Sequence, residues 1–278
     1  MLAFAGNSLL CRLALVEGSI DAGSFTLIRL ISGAITLVVL TLTMHSKASY
    51  LPVNWKMSDI VGAMMLFGYA TTFSFSYVNI ATGTGALILF ASVQFSMIGF
   101  HLFSGNRMQL WEWGGVGVSL IGFGYLLLPT ATRPDVLAAL LMIIAGMCWA
   151  AFTILGKQST ERPSILTMSI NFLLASLLAV LVVVLVPLSM EIEHITYRGA
   201  LLAVLSGAVA SGIGYAIWYA VLPTLSILRA SVVQLSVPAL ASIGGWLVLS
   251  EQITLTTIIS TLLILGGIAL VFAARSSD

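Results

Sequence analysis

Aromatic and hydroxyl side chains recur at helical spacing in two apolar stretches of the chain. Tyr69, Phe73 and Tyr77 follow one another every four residues, and Tyr215 and Trp218 repeat the pattern later, each time beside serine or threonine. Residues three or four apart share one helix face, so each stretch presents rings and hydroxyl groups together. Such a face packs against other helices or lines a cavity. Two such faces favour the cavity, because polar groups in hydrocarbon are costly unless they meet each other or water.

Three more polar or amphipathic side chains lie near the middle of apolar runs, where such groups are more favourable facing the protein interior than facing lipid. Asn7 and Gln94 carry amides, and Trp149 places an indole away from the ends of its run, where tryptophan is usually found in membrane helices. Ordinary helix packing is the alternative for Trp149. Together with the two aromatic helix faces, these three side chains form the predicted substrate-binding set. We assign its members to binding and not to catalysis: Asn7, Tyr69, Phe73, Tyr77, Gln94, Trp149, Tyr215 and Trp218.

The elements that must hold these residues follow from composition. Hydrophobic residues make up 59% of the chain and charged residues 8%, against roughly 25% charged in soluble domains. The chain cannot cover itself with polar groups, so the lipid bilayer is its expected solvent, and each span must satisfy its own backbone as a helix. We therefore predict an all-α membrane protein. The net charge of +1 gives no sign of a nucleic-acid partner. Cys11 and Cys148 lie in apolar runs, which is typical of buried thiols.

Polar breaks divide the chain into ten predicted transmembrane helices. The first eight lie at about residues 1–16, 23–44, 59–79, 85–103, 111–128, 136–156, 165–186 and 199–222, and the last two fall within 230–274, separated by Ser250-Glu251-Gln252. A shift of 144 residues superimposes 86–128 on 230–272 in the order of runs and breaks, for example Ala86 on Ala230. We therefore predict two related five-helix repeats, residues 1–130 and 131–278. An odd number of spans inverts the second repeat, with a central cavity between the two.

Basic residues predict the orientation. With a cytoplasmic N-terminus, seven of them fall on the inner side and two in outer loops, which favours both termini on the cytoplasmic side of the membrane. The inner set is Lys47, Lys56, Arg107, Lys157, Arg162, Arg229 and Arg275, and the outer set is Arg133 and Arg198.

Two arginines fall inside apolar runs, close to an acidic turn. Arg12 and Arg29 lie within about two helical turns of Glu17 and Asp21. We expect each to snorkel toward water or to pair with one of these carboxylates. The alternative is that one of them meets the carboxylate of a substrate.

Several classes of function find no support in the sequence. No carboxylate lies at mid-span, which argues against strict proton antiport through an acid–base relay and favours a facilitator. Two of the three histidines, His45 and His194, lie in loops, and no paired acids face each other within spans, so we predict no enzyme, no catalytic or metal site and no cofactor.

Spans five and ten are rich in glycine, which permits close packing of helix backbones. We expect each of them to be a scaffold helix that packs within its own half, and the alternative is that they form a dimer interface. The chain is expected to be a monomer or homodimer.

Short motifs give the chain a family resemblance. They are Phe25-Thr26-Leu27-Ile28-Arg29, Trp149-Ala150, Ser236-Val237-Pro238, Ser250-Glu251-Gln252-Ile253-Thr254 and Gly266-Gly267. In these and in its layout the chain resembles the drug/metabolite transporter superfamily, in particular ten-span EamA-type proteins. More narrowly, it resembles bacterial inner-membrane exporters of aromatic and other neutral amino acids, the YddG type. The resemblance implies export of amino acids from the cytoplasm through a central cavity between the halves. We expect such an exporter to work by alternating access. The alternative is export of another small metabolite or drug.

Overall fold

Helices account for the regular structure that we can describe. The computed structural model describes residues 1–44, 56–105, 107–127, 134–158, 162–185, 195–221, 234 and 236–275. These residues form ten helices and no strand: α1 Leu2–Val16, α2 Ala22–Met44, α3 Met57–Tyr77, α4 Thr82–Phe103, α5 Leu110–Leu127, α6 Val136–Gln158, α7 Ser164–Leu185, α8 Tyr197–Val221, α9 Ser236–Leu249 and α10 Leu255–Arg275. The all-helical prediction is confirmed for this part of the chain.

Length and composition allow six of the ten helices to cross a membrane. These are α2, α3, α4, α6, α7 and α8, and three of the others are shorter apolar helices: α1, α9 and the part of α10 up to Val271. The predicted start of span nine, at residue 230, lies outside the described residues. The finer prediction, ten spans in two inverted repeats, remains a proposal.

Polar residues at the breaks cap the helices, which explains why the apolar runs end there. The first backbone N–H groups of a helix have no partner inside it and need an acceptor. Asp21 Oδ1 accepts from Ser24 N at 2.8 Å, and Thr196 Oγ1 accepts from Gly199 N at 3.0 Å. In a membrane helix these capped ends are the points where polar groups reach water.

Neighbouring helices come mostly from opposite halves of the sequence. Helix α3 packs on α6 and α7, α8 packs on α1 and α2, and α2 packs on α7. Helix α4 packs on α6 and α9, and α9 packs on α1. The core therefore lies between the halves, where α1, α3, α4, α6 and α8 surround the predicted site residues.

Helices α5 and α10 form a separate pair with each other. The backbones touch at two glycines: a Cβ on Gly115 would lie 2.5 Å from the carbonyl oxygen of Gly267, and one on Gly267 would lie 2.5 Å from that of Gly115. Ser119 adds a hydrogen bond to the carbonyl of Ile264 at 3.0 Å. The expectation that these helices pack within their own halves is wrong. The small residues do permit close approach, but the partner is in the other half.

Candidate functional site

A small closed cavity lies at the centre of the bundle. Measured as the volume open to the centre of a water-sized sphere it is about 10 Å³, roughly the space that one water molecule needs. Its walls come from five helices, and the lining residues are Phe4, Asn7, Ser8, Tyr69, Phe73, Leu89, Phe90, Trp149 and Tyr215. The sequence predicts a central cavity between the halves, and in this conformation aromatic rings fill most of that space.

The rings around the cavity touch one another across the halves. The ring centroids of Tyr69 and Trp149 are 5.1 Å apart, and those of Trp149 and Tyr215 are 4.9 Å apart. Phe4 meets Trp149 edge-on at 6.0 Å and Tyr215 at 5.7 Å. Separations of this kind are typical of favourable aromatic pairs. The arrangement can hold an apolar or aromatic group if the rings separate by the width of one ring.

Polar groups form a buried chain along one wall of the cavity. Asn7 Nδ2 donates to the Tyr69 hydroxyl at 3.3 Å, and the Ser206 hydroxyl donates to Asn7 Oδ1 at 2.7 Å. Arg29 Nη2 also donates to the Tyr69 hydroxyl, at 3.2 Å, and Arg29 Nε donates to Ser211 Oγ at 3.2 Å. Helices α1, α2, α3 and α8 thus meet at one hydrogen-bonded cluster beside the rings.

Arg29 is the centre of this cluster, and its position corrects our expectation. It neither snorkels nor pairs with Glu17 or Asp21; it is only 1% exposed. Its Cζ lies 5.1 Å from the ring centroid of Tyr69 and 5.0 Å from that of Phe73, within cation–π range. Helix α8 approaches the backbone of α2 closely at this point, at Gly207.

The two serines that meet this cluster come from a π-helical segment of α8, Ser206–Ile213. In a π-helix the hydrogen bonds join residues five apart, so Ser206 and Ser211 lie close to one face, as they would not in an α-helix. Gly207 sits between them, and a Cβ there would lie 2.2 Å from the carbonyl oxygen of Arg29. π-Helical turns are frequent at functional sites.

Five of the eight predicted site residues line the cavity: Asn7, Tyr69, Phe73, Trp149 and Tyr215. The other three are buried near it or away from its walls. Tyr77 meets Phe73 edge-on, with ring centroids 4.7 Å apart, and its hydroxyl donates to the carbonyl of Thr82 at 3.2 Å. Trp218 meets Phe4 at 6.0 Å. Gln94 is 1% exposed, and neither atom of its amide has a hydrogen-bond partner among the described residues. A binding role for all eight remains a prediction.

Sequence reasoning left several residues at this site out of the predicted set. Phe4 and Ser8 lie on the same face of α1 as Asn7, and this spacing was a usable signal. Ser206 gave no such signal, because an α-helical reading places it off the face of Ser211. For Arg29 the sequence predicts a position near the helix end, where its charge reaches water or an acidic side chain, and not a position beside the cavity.

Ion pairs join helices at each end of the described bundle. At one end Arg12 Nε lies 3.2 Å from Glu251 Oε1, while Glu251 Oε2 accepts from the backbone N of Thr82 at 2.8 Å. Arg12 Nη1 also donates to the carbonyl of Tyr77 at 2.8 Å. We call these contacts the Arg12 latch. The expected pairing of Arg12 with Glu17 or Asp21 is therefore wrong: Glu17 pairs instead with Arg198, at 3.0 Å.

At the other end Asp59, at the start of α3, pairs with Arg162, which precedes α7. Asp59 is 1% exposed, so this pair is held away from water. The carboxylates in the described ranges all lie at helix ends or in the breaks between helices: Glu17, Asp21, Asp59, Glu112, Asp135 and Glu251. Across those ranges no three His, Cys, Asp or Glu side chains are grouped as metal ligands would be.

Known proteins resemble this chain in sequence and in fold. An uncharacterized protein of Pseudomonas aeruginosa is 42% identical over 99% of this chain and 92% of its own length. The probable amino-acid metabolite efflux pump of Salmonella typhimurium is 26% identical over 73% of this chain and 75% of its own. A solved crystal structure covers 100% of this chain and 97% of its own, with a TM-score of 0.68 at 18% identity, which shows the fold alone.

The family model for the EamA-like transporter family matches residues 136–273, the second half of the chain. The first half completes the same cavity and the same bundle of helices. This match agrees with the resemblance found in the sequence motifs. The chain is a membrane protein of the EamA-like transporter family, within the drug/metabolite transporter superfamily.

Proposed function

We propose that this transporter exports amino acids, aromatic and other neutral ones, from the cytoplasm through the central cavity. The observation that carries the proposal is the composition of the cavity wall, where aromatic rings from both halves stand beside one hydrogen-bonded polar cluster. Pockets for small molecules combine apolar walls with a few placed polar groups in this way. An aromatic or aliphatic amino acid matches this wall, because it has an apolar side chain at one end and polar groups at the other.

The small volume of the cavity in this conformation supports alternating access. The cavity admits about one water, and ion pairs join helices at each end of the described bundle. A cargo molecule can enter only if one end opens and the rings separate, and it can leave only by the other end. We infer a facilitator, because the carboxylates in the described ranges lie at helix ends, where a proton relay through the centre finds no acid.

We also infer that residues 1–130 and 131–278 are two inverted repeats. The packing supports this, because the main contacts between the halves are preserved when each helix is exchanged for its counterpart five places along. The contact of α3 with α6 then corresponds to that of α8 with α1, and the contact of α4 with α6 to that of α9 with α1. The pairs α2–α7 and α5–α10 correspond to themselves. On this reading both termini are cytoplasmic, in a bacterial inner membrane.

Flux into proteoliposomes tests the proposal directly. Purified protein is reconstituted, and uptake of radiolabelled phenylalanine, tryptophan, leucine and alanine is compared with empty vesicles. We expect saturable flux that unlabelled amino acids compete away. Flux no greater than in empty vesicles would refute amino-acid transport. A panel of non-amino-acid metabolites and drugs in the same competition assay separates amino acids from the alternative cargo.

Trp149→Ala tests the cavity as the route. Trp149 is 5% exposed and contacts rings of both halves, so its loss removes a wall of the cavity. We expect a large fall in flux, of tenfold or more by order of magnitude, at unchanged expression. Trp113→Ala is the matched control, because Trp113 is 51% exposed on α5 and does not line the cavity. Equal flux in both variants would remove Trp149 from the route.

A further inference from the structure

We propose that Arg29 is the charge anchor of the binding site, and that the cargo group it recognises is a carboxylate held at the Tyr69 hydroxyl. This inference rests on the proposed function for the identity of the rest of the cargo. It assigns a role to a residue that the predicted substrate-binding set leaves out.

The first observation is a buried cation without an anion. Arginine stays charged in proteins, and Arg29 is 1% exposed, with no carboxylate in an ion pair with it among the described residues. Its Nη1 has no hydrogen-bond partner there either. An isolated buried charge is strongly unfavourable. A ligand that brings a negative charge relieves this, whereas a cationic ligand makes it worse.

The second observation is the direction of the hydrogen bonds at Tyr69. The hydroxyl accepts from Arg29 Nη2 and from Asn7 Nδ2, so both bonds use its lone pairs. Its own proton is therefore left to be donated. Tyr69 lines the cavity, and so does Tyr215, whose hydroxyl lies near that of Tyr69 but makes no well-formed hydrogen bond in the described part of the chain. Two phenolic donors then face one small space, and the cation of Arg29 lies behind Tyr69. A carboxylate is the cargo group that can accept from both hydroxyls.

The third observation is the π-helical segment that holds Arg29 in place. Ser211 accepts from Arg29 Nε, and Ser206 orients Asn7 by donating to its Oδ1. Asn7 must then present its Nδ2 to Tyr69. The irregular turn of α8 thus aligns both donors to Tyr69, which fixes the tyrosine as a proton donor toward the cavity. Rings at 5.0 to 5.1 Å hold the guanidinium from the other side.

The geometry makes a prediction about ligand class. Zwitterionic or anionic cargo with a free carboxylate binds, and the same cargo without that negative charge binds poorly. Hydrogen bonds to charged groups are stronger than neutral ones, and we expect loss of the carboxylate to weaken binding by about tenfold to hundredfold.

Thermal stabilisation of the purified wild-type protein by matched ligands tests this. The ligands are phenylalanine, phenylalaninamide and 3-phenylpropionate, which share the ring and differ in the charged groups. We expect stabilisation by both carboxylates and little by the amide. Equal stabilisation by phenylalanine and its amide would overturn the carboxylate anchor, while leaving amino-acid export standing. Stabilisation by 3-phenylpropionate but not by phenylalanine keeps the anchor and refutes the proposed cargo. Stabilisation by neither carboxylate overturns the anchor.

Variants then assign the effect to residues. Arg29→Gln should reduce the preference for phenylalanine over its amide to less than about threefold, and Arg29→Lys should keep part of the preference. Tyr69→Phe, which keeps the ring, is the second test if Arg29→Gln does not fold. Arg198→Gln removes a positive charge from an exposed pair and should leave the preference unchanged. A preference that survives in both Arg29→Gln and Tyr69→Phe refutes the assignment.

Discussion

The Arg12 latch should control access to the cavity from its end of the bundle. Glu251→Gln removes the negative charge that joins Arg12 to the start of α4 while keeping nearly the same side-chain size. The carboxylate accepts from Arg12 at 3.2 Å and from Thr82 N at 2.8 Å, and the side chains of Arg12 and Glu251 are only 15% and 17% exposed. Breaking the latch therefore favours opening at this end.

The magnitude follows from the two hydrogen bonds. Each bond to a charged group contributes about 1.5–3 kcal/mol, and glutamine can still accept a weaker one. We expect the latch to weaken by about 2 kcal/mol, which raises the open population by about 30-fold. Arg12→Gln should give a similar change, and the double variant should be less than additive, since both changes break one pair.

Cys11 provides the assay. Its thiol is 0% exposed and adjoins Arg12, so a membrane-impermeant maleimide reaches it only when this end opens. Cys148→Ala leaves Cys11 as the single thiol. We expect Glu251→Gln to speed modification about 30-fold, in proportion to the open population. Arg198→Gln, in the exposed pair with Glu17 at the same end, should change the rate by less than about fivefold. An unchanged rate in correctly folded Glu251→Gln would refute the latch.

Two further changes test the packing. Gly115→Ala forces a methyl group against the backbone of Gly267 and should destabilise the fold by about 1–3 kcal/mol, seen as a lower Tm in detergent. Gly117→Ala, which meets open space, is the control, and equal Tm values would contradict the close contact. Asp59→Asn leaves Arg162 without its anion and should cost about 3 kcal/mol, because the carboxylate is 1% exposed. A Tm equal to that of the wild type would show that the pair does not stabilise this end.

Most helix bounds could be predicted because apolar runs and capping residues alternate cleanly. Span three was expected at about 59–79 and is found at Met57–Tyr77, where Asp59 caps its start. Periodicity also predicted which side of a helix faces inward, so Tyr69, Phe73, Trp149 and Tyr215 meet at one cavity. Capping residues and helical periodicity are both local features of the sequence, so they are present whatever the helix packs against.

The rest depends on contacts between distant parts of the chain. Position in a run does not say whether a charge turns toward water, so Arg29 was expected near the surface, yet it binds Tyr69 and Ser211 inside. The π-helical register leaves no trace in the spacing of apolar residues, and Ser206 was missed for that reason. Glycines in α5 predicted close approach but could not name α10 as the partner.

The α5–α10 pair has a consequence for how the two parts of the chain hold together. Each part contributes its last helix to a common pair, with backbones in contact at Gly115 and Gly267, and α5 makes its main contacts there. The pair is a clasp that would remain if the peptide link before α6 were cut. Two co-expressed polypeptides divided at that link should therefore associate in the membrane through this pair.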